Sequence, residues 1–176
     1  MILLISEDYF KTQSGLNDNI YGSYLLPTIR ESQDIDLQQI IGSELLDTLC
    51  AMIEDETILY ESNYKILLDK YIQPFLLYAT ICNLIPFVAT KISNIGLVIN
   101  NDEHVVNVSK NERDYLIWQY NYKKVFYKKK LQKYLCKNKS KFNELNKEQE
   151  ILPNLIFTEE LPIYVGGAKN PTKKYK

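Results

Sequence analysis

The chain has 176 residues, of which 45% are hydrophobic and 24% charged, with six Gly and six Pro. That apolar fraction excludes a disordered chain, and the Gly and Pro counts exclude collagen-like or Gly/Pro-rich low complexity; the length suits one domain with a single core and a tail. The net charge of −1 hides a strong asymmetry: residues 1–109 carry 5 bases and 15 acids, residues 110–147 carry 12 bases and 3 acids, and residues 148–176 carry four of each. The chain is an acidic body with one basic segment. Nineteen of its bases are Lys, and the only arginines are Arg30 and Arg113.

In chain order, residues 1–16 read as an extended lead-in. The short apolar run at the start has no basic residues before it and acids directly after it, which does not fit a signal peptide. Asn17 or Asp18 can cap a helix starting near Asn19, with Ile20, Tyr21, Tyr24, Leu25 and Ile29 on one side. Pro27 is expected to kink or split it. Ile35, Leu37, Ile40 and Ile41 continue the pattern. Gly42 then fits a helix end that needs positive φ. Ser43 reads as the cap of a helix whose apolar face is Leu45, Leu46, Leu49 and Met52, followed by the acidic run Glu54-Asp55-Glu56.

Asn63 can cap a long helix reaching about Ile92. From Tyr71 onward its apolar residues occupy nearly every face, as in the central helix of a bundle. Residues 74–89 fall short of the roughly 20 apolar residues of a membrane span and contain two prolines, so no span is expected. Residues 95–108 change period: Gly96-Leu97-Val98-Ile99 and His104-Val105-Val106-Asn107-Val108 flank Asn100-Asn101-Asp102-Glu103, the pattern of a β-hairpin. Ser109-x-x-Glu112 is a capping box opening a helix to about Asn138. Tyr115, Trp118, Tyr122, Val125 and Phe126 form one stripe on it, extended by Leu131, Tyr134 and Leu135, and Lys123, Lys124, Lys128, Lys130, Lys133 and Lys137 take the remaining faces. From Ile151 an apolar stretch with two prolines and Gly166-Gly167 reads as an extended arm. No internal repeat is apparent. The expectation is a mainly α fold: a helical bundle over 17–146 with one hairpin at about 95–108, and an extended C-terminal arm over 147–176.

Little in this pattern points to catalysis. Cys50, Cys82 and Cys136 are odd in number and lack CxxC spacing, so reduced buried thiols are expected rather than disulfides or zinc, and a reducing cytosol suits them. His104 is the single His and reads as an ordinary strand or surface residue. There is no G-x-S-x-G, Walker A or G-x-G-x-x-G motif. Glu54-Asp55-Glu56 fits a solvated loop better than a cation cage. No enzyme activity, cofactor or metal is expected. Three readings remain for the basic helix. It can be a solvated face with Tyr stems packed inward. It can be a DNA-binding module in which Tyr120, Tyr122 and Tyr127 stack on bases while lysines meet phosphates. Or it can meet the acidic body of another copy, head to tail.

Three stretches taken together resemble a known family. They are Tyr24-Leu25-Leu26-Pro27-Thr28-Ile29 followed by Asp34-Ile35-Asp36-Leu37-Gln38-Gln39-Ile40-Ile41-Gly42-Ser43-Glu44-Leu45-Leu46; Leu68-Asp69-Lys70-Tyr71-Ile72-Gln73-Pro74-Phe75-Leu76, running into Leu84-Ile85-Pro86-Phe87 and Lys91-Ile92-Ser93-Asn94-Ile95-Gly96-Leu97-Val98; and the Tyr/Lys helix from Glu112 to Leu135. Their order over residues 17–138 resembles the head–tail connector (adaptor) proteins of tailed phages infecting Bacteroidetes, crAss-like phages included. The resemblance implies a non-enzymatic virion protein, a helical bundle forming a ring, usually of twelve copies, beneath the portal. Such a ring extends the channel through which double-stranded DNA passes without sequence recognition, and it offers a docking surface to tail or further ring proteins. The protein would be assembled in the bacterial cytoplasm and act at the head–tail interface, with no membrane partner. The expected core is Tyr24, Ile29, Ile41, Leu46, Ile72, Phe75, Leu76, Ile81, Leu84, Trp118 and Val125. The expected partner contacts are Ile95, Leu97, Ile99, Val105 and Val106 of the hairpin and Ile156, Phe157, Leu161, Ile163 and Tyr164 of the arm.

Overall fold

A computed structural model of the chain describes residues 2–15, 22–93, 96–99 and 110–146, and these are mainly helical. Helix α1 spans Glu7–Ser14 and α2 spans Gly22–Glu31, which runs on through a widened π-turn segment at Ser32–Leu37 into the short α3, Gln38–Ile41. Helix α4 follows at Ser43–Glu54. Helix α5, Ser62–Leu67, continues through a second π segment at Leu68–Ile72 into α6, Gln73–Ala89. Strands β1 (Thr90–Ser93) and β2 (Gly96–Ile99) precede α7, Lys110–Lys137, and two single 3-10 turns close the described chain at Lys139–Lys141 and Asn143–Asn146.

The lead-in is not extended throughout, because residues 7–14 form α1. The start signal was local: the Ser6 hydroxyl accepts the Tyr9 amide at 3.0 Å, Glu7 and Asp8 sit in the first turn, where the helix dipole favours acids, and Gly15 ends the helix at φ +64°. Residues 2–5 are held by the buried Gln33. Its Oε1 accepts the Leu4 amide at 2.9 Å and its Nε2 donates to the Ile2 carbonyl at 3.0 Å. Gln33 occupies the first π segment, where Gln38 N–H bonds the Gln33 carbonyl five residues back. The wider turn leaves Ser32 and Gln33 both fully buried.

Helix α2 is not divided at Pro27; the carbonyl that Pro27 cannot serve belongs to exposed Ser23, within reach of water. The second π segment ends two residues before Pro74, which is the second residue of α6, and α6 ends three residues after Pro86. Gly42 takes φ +82°, ψ 167°, a conformation essentially reserved for glycine. Ser43 is therefore the first residue of α4 rather than its cap, and Glu61, not Asn63, flanks the start of α5. The caps expected at Asn17, Asp18 and Ser109 lie outside the described residues.

The core joins Leu4, Ile5 and Phe10 to Leu25, Ile29, Leu37, Ile41, Leu45, Leu49, Leu67, Ile72, Phe75, Leu76, Ile81, Leu131, Leu135 and Phe142. Nine of the eleven expected core residues are buried. The exceptions are Tyr24, 44% exposed, and Trp118, half-buried. The hairpin expected over 95–108 is not supported. Gly96–Ile99 is a strand, but its antiparallel partner is Thr90–Ser93, in the register Thr90↔Ile99 to Ser93↔Gly96. The apolar helical pattern continues to about Ile92, whereas α6 stops at Ala89 and hands Thr90 and Ile92 to a strand, a conformation that suits β-branched residues. Residues 100–109, the other expected half, lie outside the described residues, as does the arm.

Candidate functional site: the two faces of α7

Helix α7 packs antiparallel along α6, and tyrosines lock the pair in register. Tyr71 stacks on Tyr134 with ring centroids 4.0 Å apart, and Tyr78 on Tyr127 at 5.3 Å. Seven residues separate Tyr71 from Tyr78, and the same spacing links Tyr120, Tyr127 and Tyr134. Each of the latter three is followed three residues later by a lysine: Lys123, Lys130 and Lys137. The first two stand over the ladder, with Lys123 Nζ 5.5 Å from the Tyr78 ring centre and 5.1 Å from that of Tyr120, and Lys130 Nζ 5.3 Å from Tyr71 and 5.5 Å from Tyr127. Stacked pairs contribute about 0.5–1.5 kcal/mol beyond area burial, and each cation over a ring about 0.5–1 kcal/mol where exposed. This Tyr-x-x-Lys unit at every seventh residue is an internal repeat that the absence of longer repeats concealed. It is legible in the sequence once α7 is read in sevens.

Beside the ladder, a polar network joins three elements. Lys124 Nζ donates to Asp36 Oδ1 at 2.8 Å. Asn83 Nδ2 donates to Asp36 Oδ2 and to the Ser32 hydroxyl, both at 3.0 Å, and that hydroxyl donates to the Thr28 carbonyl at 2.9 Å. The Lys124 and Asp36 side chains are each 20% exposed, so the pair is partly shielded from water. Near it, burial pushes the Cys82 thiol up to about 11, with Lys124 opposing and Asp36 adding to the shift. Such a thiol is protonated and inert at neutral pH. At the other end, the Tyr64 hydroxyl donates to the Glu144 carboxylate at 3.0 and 3.2 Å, and burial together with that bond raises it to about 12. No grouping of His, Cys, Asp and Glu among the described residues could hold a metal ion.

The outward face of α7 is different. Tyr122 is 48% and Phe126 56% exposed. Lys133 and Lys137 are exposed and Lys129 partly so. Residues 122, 126, 129, 133 and 137 follow one another at three- or four-residue steps, so they share one side of the helix. That side is aromatic in its first half and basic in its second. Lys129, Lys133 and Lys137 make no ion pair with a described carboxylate; of the basic helix, Lys124 does so. The stripe read on α7 is therefore divided: Val125, Leu131 and Leu135 are buried and Tyr134 packs on the core, whereas Tyr115, Tyr122 and Phe126 face solvent; Tyr120, Lys124 and Tyr127 complete the inward side. Lys128 is half-buried. Of the expected contact residues, Leu97 and Ile99 lie on β2, whereas Ile95, Val105, Val106, Ile156, Phe157, Leu161, Ile163 and Tyr164 lie outside the described residues.

A family described as "Family of unknown function (DUF6712)" matches residues 37–152, well over half the chain. The chain belongs to that family. The match starts in the first π segment and takes in α4, α6, both strands and the whole of α7, so the tyrosine ladder and the outward strip lie inside the DUF6712 region. Neither the curated proteins nor the solved structures contain a match. No helix of the described residues is long and apolar enough to cross a membrane.

Proposed function

We propose that this DUF6712 protein is a structural virion subunit that assembles with copies of itself into a ring below a phage portal. In that position it extends the DNA channel and joins head to tail. The observation that carries the proposal is the division of labour on α7. One side is committed to the bundle by stacked tyrosines and the Lys124–Asp36 pair, while the other exposes large aromatics beside lysines without carboxylate partners among the described residues. Large exposed apolar side chains rimmed by charge mark surfaces built for another chain. The ordered resemblance to connector proteins supports the same reading, with the number of copies near twelve and no catalysis assigned.

In this reading the portal and tail or further ring proteins are the neighbours, and an acidic channel wall lets duplex DNA slide past without adhering. The segment that follows α6 and the arm over 147–176 supply contacts between subunits or rings. The alternative, a DNA-binding module built on residues 110–137, loses much of its basis. Tyr120 and Tyr127, two of the three tyrosines it needs for base stacking, are turned into the bundle. Native mass spectrometry and electron microscopy of the full chain, alone and with its portal, test the proposal. Masses at a multiple of the monomer, near twelvefold, and rings on the portal are the expected result. A strict monomer that ignores the portal and binds duplex DNA with a steep salt dependence would refute it.

A further inference from the structure

The outward strip of α7 has a polarity order: Tyr122 and Phe126 first, then Lys129, Lys133 and Lys137. An occupant that satisfies it carries apolar side chains beside acids and no bases. The segment that follows the bundle has that composition. Residues 151–168 contain Leu155, Ile156, Phe157, Leu161, Ile163 and Tyr164 around Glu159-Glu160, with no Lys or Arg. The spacing also agrees. Phe126 and Lys133 are seven helical residues apart, about 10.5 Å at 1.5 Å per residue. Phe157 and Glu160 are three residues apart, a separation that would reach about 10 Å if bound in a β conformation.

The assembly proposed above sets the arm of one copy against the strip of the next, and the described chain ends in a turn anchored to the bundle. Phe142 and Leu145 are buried, and the Phe142 ring meets Tyr64 edge-on at 5.3 Å and Tyr134 at 6.2 Å. Glu144 accepts from Tyr64. The last described turn is thus tied to Tyr64 of α5 and to Tyr134 on the inward side of α7. We infer that the strip formed by Tyr122, Phe126, Lys129 and Lys133 receives the arm of a second copy, with Phe157 against the aromatics and Glu159-Glu160 against the lysines. The inference rests on the assembly proposed above and names the contact that drives it. A head-to-tail contact of this kind repeats around a ring, because each copy presents one strip and one arm.

Complementary charge reversal in the full-length chain tests it. Lys129→Glu/Lys133→Glu reverses the strip, and Glu159→Lys/Glu160→Lys reverses the arm. Each variant alone is expected to weaken self-association at least tenfold by native mass spectrometry and light scattering, with circular dichroism unchanged. Mixed one to one, the two variants are expected to recover wild-type assembly, since each strip then finds a matching arm on the other variant. Recovery only when both reversals sit on one chain overturns the inference in favour of an arm folded back on its own helix. Variants that assemble like wild type overturn the strip contact and leave the ring proposal standing, whereas a wild-type chain that never associates overturns both. Loss of duplex DNA binding in the strip variant without loss of association would assign the strip to nucleic acid instead. Phe126→Asp gives a second check, because its exposed side chain can change without emptying the core; normal folding with normal association also overturns the inference.

Discussion

Replacing Lys124 by Met isolates what the α2–α6–α7 polar network contributes. Methionine keeps the aliphatic stem of lysine and removes the ammonium that donates to Asp36 at 2.8 Å. Breaking a fully buried pair costs about 3–5 kcal/mol because a charge is left unpaired, and an exposed pair contributes about 0–1 kcal/mol. Both side chains here are 20% exposed, and Asn83 continues to donate to Asp36 at 3.0 Å. The loss should therefore fall between the two limits, near 2 kcal/mol. With a urea slope of about 2 kcal/mol/M for a domain of this size, the unfolding midpoint should fall by about 1 M with the slope unchanged. Lys133→Met, on the exposed side of the same helix, is the control and should move stability by no more than about 0.5 kcal/mol. Both are measured at one protein concentration, since self-association adds to apparent stability. A double-mutant cycle with Asp36→Asn should then return a coupling energy of about 1 kcal/mol or more. If Lys124→Met and Lys133→Met give the same midpoint, the network contributes nothing and the argument for α7 as a committed bundle helix is wrong.

Other outcomes follow from the same structure. Gln33→Leu should cost about 2 kcal/mol, because the Leu4 amide and Ile2 carbonyl lose their buried partner; hydrogen exchange should show the Leu4 amide losing protection before the rest of the core. Gly42→Ala should cost about 1–3 kcal/mol in thermal unfolding, since a side chain is strained at φ +82°, ψ 167°. Tyr64 is raised to about 12 in the folded chain by burial and by donation to Glu144, from the ordinary tyrosine value of 10.0. The folded state therefore holds this proton more tightly, so its contribution is complete below about pH 10 and is lost as pH rises through about 12. Tyr64→Phe should flatten that part of the alkaline fall in stability, and tyrosinate absorbance should lose its latest-titrating component; an identical alkaline profile in both proteins would contradict the assignment.

Much of the architecture was legible in the sequence because local chemistry and periodicity agreed. Gly42 marked a positive-φ break, the apolar run from Tyr71 marked a central helix, and Ile29, Ile41, Phe75, Leu76 and Ile81 fell where the core lies. The acidic body and basic helix were also plain. What periodicity could not settle was which side of α7 faces in. Aromatic residues lie on both sides, and the choice depends on the second π segment and α6 presenting Tyr71 and Tyr78 to Tyr134 and Tyr127. The same pairing divides the stripe, burying Val125, Leu131 and Leu135 and leaving Tyr122 and Phe126 exposed. Lysines that look alike in sequence were likewise sorted by tertiary neighbours: Lys124 onto Asp36, Lys123 and Lys130 over tyrosine rings, and Lys133 and Lys137 to the surface.

The near-zero net charge was fixed by composition alone, and so was its division into an acidic body and a basic segment. Where those charges meet was a question for the tertiary structure. An ion pair needs two side chains within a few ångströms, a distance set by helix packing rather than by position in the chain. Within the described residues that packing joins the basic helix to an acid through Lys124 and Asp36, leaving Lys129, Lys133 and Lys137 facing outward without a described carboxylate.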